Sequence, residues 1–350
     1  MSFMRAETLE SAEAVRRCLA QRDVFAALGA QMRALDPPFV VVCARGSSSH
    51  AGTYLRVLLA KQLGLVAAAA MPSVASVYHR PQRLRGALFV AISQSGRSPD
   101  LIASADQARA AGALTLALVN DPGSPLAASC ELVLDIAAGP EHSVAATKTV
   151  LASLAAALAL VDAWQHAPTT AKAPTTATAP TTAKALAALP ERLAAAAALD
   201  WSPLVSALGR VDRIFTVGRG PALGIVHEAA LKLSEVCGIA GLAFSAAELA
   251  HGPMALAGPD FPVLAFLQDD ATLPHSQRVL ATLAARGAPV LAAGGEVAGA
   301  HALPVLPPMH ADADLLAMLV PFYLAAEAAS RARGLDPDHP PSLRKVTQTI

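Results

Sequence analysis

The chain has 350 residues, of which 54% are apolar and only 15% charged, which excludes a chain disordered throughout. Lysine plus arginine and aspartate plus glutamate are 27 each, so the formal charge is zero; no global basic field exists, and non-specific nucleic-acid binding is not expected. At roughly 150 residues per domain the length suits two domains, or one large one.

Residues 1–36 read as a helical segment, with good helix formers over 6–35 and "LDPP" as a stop. Residues 1–23 are charged throughout and have no apolar run, so they do not read as a signal peptide. The cysteines, Cys18, Cys43, Cys130 and Cys237, lie far apart and form no pair of zinc or redox spacing. Isolated thiols in apolar surroundings point to a reducing, cytoplasmic setting.

Residues 39–44, "FVVVCA", form a short continuous apolar run rich in β-branched residues, as expected of a strand buried on both faces. The turn "RGSSSHAG" (45–52) follows, then a helical pattern from about His50 to Leu63. Further apolar runs lie at 64–70, 87–93, 114–119 and 132–136, mostly separated by helical segments. This alternation predicts an α/β fold with a doubly wound parallel sheet. The apolar stretch 150–164 is shorter than the roughly 20 residues of a membrane span, so it reads as a buried helix and no membrane association is expected.

Residues 167–184 repeat a hexad, APTTAK, APTTAT, APTTAK, with no large apolar group. They read as a flexible linker. Beyond it the first pattern returns: residues 213–241 resemble residues 39–68 in running strand, Arg-Gly turn, long helix, short strand. Apolar runs at 261–267 and 289–293 and a helix near 312–333 complete a second copy. The expected organisation is therefore a first module at 37–166, a linker at 167–184, a second module at 185–335 and a polar, Pro-rich tail at 336–350.

Two turns carry a chemical signal. In "ISQSGRSPD" (92–100) a strand ends in Ser93, Gln94, Ser95, Gly96 and Ser98, and Pro99 suits a first helical position. Hydroxyls and backbone N–H groups at a helix N-terminus favour an anion. The turn at 45–52 has the same design, and in a parallel sheet both open on the carboxyl edge, where ligands bind. Taken singly, each serine-rich turn is equally well a helix cap; together they favour one small phosphate ester. No GxGxxG or Walker pattern marks a nucleotide. Glu235 and His251 stand out downstream, although a helical Glu is usually solvated and a lone His usually structural. His50, His142 and His227 read as structural.

Together "RGSSSHAG", "ISQSGRSPD", "AGPEHSVAATKT" (138–149), "EAALKLSEV" (228–236), "SAAELAHGPMAL" (245–256) and the tail "SLRKVTQTI" resemble the double sugar-isomerase (SIS) family. The chain is similar to the isomerase half of glutamine–fructose-6-phosphate aminotransferase and to the aminosugar-phosphate deaminases built on that half. The resemblance implies two tandem flavodoxin-like or Rossmann-like three-layer modules and a sugar-phosphate substrate. By the family's motifs, Ser47 and Ser48 contact the sugar or its phosphate. Ser93, Gln94, Ser95 and Ser98 bind phosphate, with Ser98 replacing a Thr. The Val144 backbone touches the sugar. Glu235 shuttles a proton between C1 and C2. His251 opens the ring and is lent by the neighbouring subunit of a homodimer. Lys345 forms a Schiff base with the open ketose, and Arg344 replaces a small residue that contacts the sugar through its backbone. No metal or organic cofactor is required. Where the aminotransferase carries its glutaminase Cys after the initiator Met, this chain has Ser2. That departure favours deamination of glucosamine 6-phosphate to fructose 6-phosphate and ammonia. Galactosamine 6-phosphate, tagatose 6-phosphate and fructosamine 6-phosphate are alternative substrates on the same machinery. A non-catalytic phosphosugar sensor would not need Glu235, His251 and Lys345 together.

Overall fold

The computed structural model describes residues 1–166, 181–209 and 211–345. Three helices open the chain: α1 (Phe3–Leu9), α2 (Ser11–Leu19) and α3 (Arg22–Leu35). The single helix expected over 6–35 is therefore broken at Glu10 and again at Ala20 and Gln21. There follow β1 (Val40–Ala44), α4 (Gly46–Leu63), β2 (Ala67–Ala69), α5 (Pro72–Ser76), β3 (Leu88–Ser93), α6 (Pro99–Ala110), β4 (Leu114–Val119), α7 (Pro125–Ser129), β5 (Leu132–Asp135) and α8 (Lys148–Gln165). The later half runs α9 (Thr182–Ala196), α10 (Ser202–Leu208), β6 (Arg213–Gly218), α11 (Ala222–Cys237), β7 (Ala240–Ser245), α12 (Ala246–Leu249), β8 (Val263–Phe266), α13 (Leu273–Ala285), β9 (Val290–Ala293), β10 (His301–Leu303) and α14 (Ala311–Ala332).

The contacts divide the chain into two units that interleave along the sequence. One comprises Glu13–Pro140, Thr149–Thr178 and Arg344–Ile350; the other comprises Met1–Ala12, Glu141–Lys148 and Ala179–Leu343. Sequence reading drew the modules as two consecutive blocks. The difference arises because residues 1–12 and 141–148 pack with the later half. Of the linker read at 167–184, residues 167–180 lie outside the described residues. The remaining four open a helix: the Thr181 hydroxyl caps α9 by accepting from the Lys184 N–H, and residues 182–184 are its first three.

The first unit holds a parallel sheet in the order β2-β1-β3-β4-β5. Val40 pairs with Leu88 and Ala44 with Ile92, and every residue of β3 is buried. Phe89, Ala91, Ala117 and Val119 face Leu101, Ala105 and Ala108 of α6 in one apolar core. Continuous apolar strands are what burial on both faces demands. The strand order reverses between β1 and β3, so the loops leaving these two strands flank the crevice where ligands bind in such sheets.

The second unit repeats the design, with all strands parallel in the order β10-β9-β8-β6-β7. Read from β7, this is the same order as the first sheet, which bears out the two-copy, doubly wound α/β expectation. The buried α14 packs on α1, α9, α10 and α11. It is long and apolar enough to cross a membrane, but 83% of its apolar window is buried within the fold. The Asp338 carboxylate accepts from the Phe3 and Met4 N–H groups at 2.7 and 2.9 Å, and Ser2 Oγ donates to Glu327 Oε1 at 2.7 Å. The two Asp338 bonds satisfy orphan donors at the start of α1, and all three bonds tie it to α14 and the segment that follows.

Candidate active site

In the first unit β3 ends at the buried Ser93, and the segment 94–98 turns into α6. Ser93 Oγ accepts from the Gly96 N–H at 3.1 Å, and Ser95 Oγ accepts from the Arg97 N–H at 3.3 Å. Each hydroxyl keeps its own proton to donate. Two neighbours hold the loop from outside. The Gln94 carbonyl accepts from the Asn120 N–H at 3.3 Å, and the Gly96 carbonyl accepts from the Leu126 N–H at 3.0 Å. Gly96 has φ +61°, and a Cβ there would lie 2.1 Å from Ser124 Oγ, so only glycine fits. Ser98 occupies the N-cap of α6 but makes no capping bond with its side chain, and Pro99 fills the first helical position.

The segment 45–52 is not a turn, as sequence reading had it. Arg45 is the N-cap and α4 begins at Gly46, so Ser47 and Ser48 stand in its first turn, half-buried. Two helix N-termini, α4 and α6, thus flank the strand-order reversal. Both carry hydroxyls and both favour negative charge.

Sequence reading missed the pair that joins them. Arg45 Nε donates to Asp100 Oδ2 at 2.8 Å, and a second guanidinium nitrogen reaches the same oxygen at 2.8 Å. Asp100 is fully buried, and its Oδ1 has no hydrogen-bond partner. The pair spans 55 positions in sequence, a separation no local pattern discloses. Arg344 and Lys345 belong to this same unit; Arg344 is exposed, Lys345 is half-buried, and residues 346–350 of the tail motif lie outside the described residues.

Val144, Glu235 and His251 all belong to the second unit. Glu235 lies near the C-terminal end of α11. Glu228, Lys232 and Glu235 follow one another at spacings of four and three, which puts all three on one helix face. Lys232 Nζ donates to Glu235 and lies 3.6 Å from Glu228 Oε1; both the Lys232 and Glu228 side chains are 1% exposed, against 18% for Glu235. From α14, Tyr323 OH donates to Glu228 Oε1 at 3.1 Å. Burial pushes the Lys232 ammonium down, but the carboxylates of Glu228 and Glu235 outweigh it and hold its pKa above the ordinary lysine value. Burial first, and then the Glu228 carboxylate, keep the Tyr323 phenol well above its usual range. The face is therefore a charged row, closed at Glu228 and open at Glu235. The "E-x-x-x-K-x-x-E" spacing was readable in the sequence, but only Glu235 was singled out there.

Segment 141–148 closes on itself and is also held by α1. Glu141 accepts from the Thr147 N–H at 3.0 Å. The buried Glu7 of α1 accepts from the N–H groups of His142 and Ser143, the latter at 3.0 Å. Val144, half-buried, follows directly. The negative charge of Glu141 also acts on Lys232. His251 is exposed, between α12 and a 3₁₀ turn at Pro253–Leu256, with its N–H bonded to the Glu248 carbonyl at 2.9 Å.

The SIS domain family matches this chain over residues 37–163 and 207–296. Among curated proteins, the chain is similar to glutamine–fructose-6-phosphate aminotransferase [isomerizing] of Symbiobacterium thermophilum, 32% identical over 90% of this chain and 52% of that one. The Halobacterium salinarum protein of the same name is 34% identical over 87% and 51%. The chain thus spans about half the length of the curated relatives it matches. Among solved structures, a proposed phosphosugar isomerase from Silicibacter pomeroyi is 42% identical, with a TM-score of 0.88 over 97% of this chain and all of that one. The C-terminal domain of glucosamine-fructose-6-phosphate aminotransferase from Francisella tularensis shares the fold at 23% identity and a TM-score of 0.81, over 97% of this chain and 98% of that one.

Proposed function

The chain belongs to the SIS-domain family, and from that premise we propose that it is a phosphosugar isomerase/deaminase converting glucosamine 6-phosphate and water into fructose 6-phosphate and ammonia. The observation that carries this reading is the row on α11. A carboxylate open to solutes, Glu235, is held at a cationic, buried Lys232 and backed by Glu228. A proton can be accepted and returned there without a large solvent reorganisation. The two hydroxyl-bearing helix N-termini in the first unit supply a remote phosphate grip. Binding energy gained there orients the reacting carbons.

His251, lent by a second copy in a homodimer, gives a proton to the ring oxygen as the O1 hydroxyl loses one, and so opens the sugar. Glu235 removes the proton from C2 of the aldehyde as O1 takes up a proton, giving an enolamine, and returns a proton to C1 as the amine loses one. The resulting imine at C2 takes up water and expels ammonia. Lys345 can hold the open ketose as a Schiff base, and Val144 and Arg344 contribute backbone contacts to the sugar. Ser47, Ser48, Ser93, Gln94, Ser95 and Ser98 hold the phosphate.

The test is to incubate the purified protein with glucosamine 6-phosphate and follow ammonia and fructose 6-phosphate together. Equal release of both, abolished by Glu235→Gln, is the expected result. Release of neither, with the ester still bound, would overturn the substrate and turn attention to the galactosamine, tagatose and fructosamine esters.

A further inference from the structure

The N-terminal helix α1 carries chemistry-bearing groups that the site residues named so far do not include. Glu7 is 3% exposed, and its two carboxylate oxygens take the N–H groups of two successive residues, His142 and Ser143. Those residues lie 135 and 136 positions away in sequence. One turn further along, Glu10 forms an ion pair with Lys148, whose side chain is 4% exposed. The segment 141–148 is thus gripped at both ends, by the carboxylate of Glu7 in α1 and by that of Glu10, the C-cap of α1. Inside the segment, Glu141 ties its own loop to the Thr147 N–H. A loop whose backbone is anchored at residues 142, 143 and 147 has little freedom left at residues 144–146 between them.

We infer that Glu7 is a positioning residue, which fixes the backbone of the 141–148 loop through the His142 and Ser143 N–H groups and so sets Val144 against the sugar. The inference rests on the function proposed above, because that function assigns the sugar contact to Val144. The chemistry is specific to a carboxylate. An ionised Glu offers only acceptors and can take two N–H donors side by side. Glutamine at the same place offers one acceptor and one donor, so one of the two backbone N–H groups meets a second N–H. Burial opposes the charge and raises the Glu7 pKa, while the two N–H bonds lower it; the carboxylate stays where it is because the loop satisfies it.

The grip acts on the sugar and not on the phosphate. Its loss therefore separates two affinities that a general loosening of the protein would change together. The experiment uses Glu7→Gln in the full chain, with three readouts. The first is amide exchange by mass spectrometry on the peptide spanning 139–148. The second is the affinity for inorganic phosphate. The third is turnover of glucosamine 6-phosphate. The expected result is faster exchange confined to the 139–148 peptide, unchanged phosphate affinity, and a fall in kcat/KM of roughly tenfold or more. Glu10→Gln, which leaves the two N–H bonds in place, serves as the second variant and should loosen the Lys148 end with a smaller loss.

Unchanged exchange in Glu7→Gln would overturn the inference. So would faster exchange with native kcat/KM, or a matching loss of phosphate affinity, since the latter would mark a merely structural role. If the native protein turns over no aminosugar phosphate, the proposed function fails, and the exchange readout alone still decides whether Glu7 holds the loop.

Discussion

Replacing Lys232 by Met removes a charge from the α11 row while keeping most of the side-chain volume. Lys232 is the cation between two carboxylates, one of which, Glu228, is 1% exposed. Removing one partner of a buried ion pair costs about 3–5 kcal/mol, because the other charge stays buried and unpaired. Glu235, at 18% exposure, can turn to water, and Glu228 keeps the Tyr323 OH at 3.1 Å, so the loss belongs at the lower end, about 3 kcal/mol. The stranded Glu228 carboxyl must then titrate above its unfolded value. A carboxyl with a raised folded pKa contributes stability that is present at low pH and lost as pH rises. The Lys232→Met deficit should therefore be largest above neutrality and shrink as pH falls towards the ordinary glutamate range near 4.3. Urea unfolding followed by circular dichroism at pH 8 and pH 5 measures both effects. The double variant Glu228→Gln/Lys232→Met removes both charges and should recover most of the loss. A single-variant loss below about 1 kcal/mol, or a double variant no more stable than the single, would refute the view of this row as a desolvated charge network.

Other outcomes follow from the same structure. Gly96→Ala forces an L-residue to φ +61° and drives a Cβ to 2.1 Å from Ser124 Oγ; at about 1–2 kcal/mol for the conformation alone, phosphate-ester affinity should fall roughly tenfold or more, and a titration showing native affinity would count against the loop as the phosphate site. Asp100→Asn leaves Arg45 without its counter-charge; if the pair sets the two loops, calorimetry should show weaker phosphate binding despite the more positive site, whereas tighter binding would mean Asp100 only neutralises. Burial pushes the thiols of Cys18, Cys43 and Cys237 up to about 12 and that of Cys130 up to about 11; at pH 8 an aromatic disulfide should label none of them in the folded protein and all of them in denaturant, and fast labelling of any one would refute its burial. For Glu7, burial raises the folded pKa above the unfolded one, so the native state holds that proton longer and native stability falls as pH rises through the raised value; the stability gap between native protein and Glu7→Gln should narrow from pH 4.5 to pH 7, and a widening gap would contradict the sign.

Strands were the most legible part of the molecule. Runs such as 88–92 and 116–119 are apolar without interruption, as burial on both faces of a parallel sheet favours. The edge strands β2 and β10 are three residues long and carry exposed positions, so β2 was seen only as part of a longer run and β10 not at all. Helix breaks at Glu10 and at Ala20–Gln21 lack Pro or Gly and left no local mark. The hydroxyl loop at 93–98 was legible because strand end, turn chemistry and helix start fall within nine residues of sequence. Partners that meet only through the fold were not: Arg45 with Asp100, Glu7 with His142 and Ser143, Tyr323 with Glu228. Lys232 is a different case, since its spacing from Glu228 and Glu235 was on view, and only its burial, which sequence does not disclose, makes that spacing chemical.

The interleaving of the two units bears on how the chain is made. Residues 1–12 are synthesised long before their partners: Ser2 and Phe3 bind Glu327 and Asp338, 325 and 335 positions later. Until α14 and Asp338 have been made, α1 has neither its bonds to Asp338 nor the apolar surface of α14 to lie on. A seven-residue helix is too short to persist unaided. The contact of α1 with α14 must therefore be a late event with a large loop to close. An arrested chain released before residue 327 should expose its first twelve residues to protease, and the full chain should protect them.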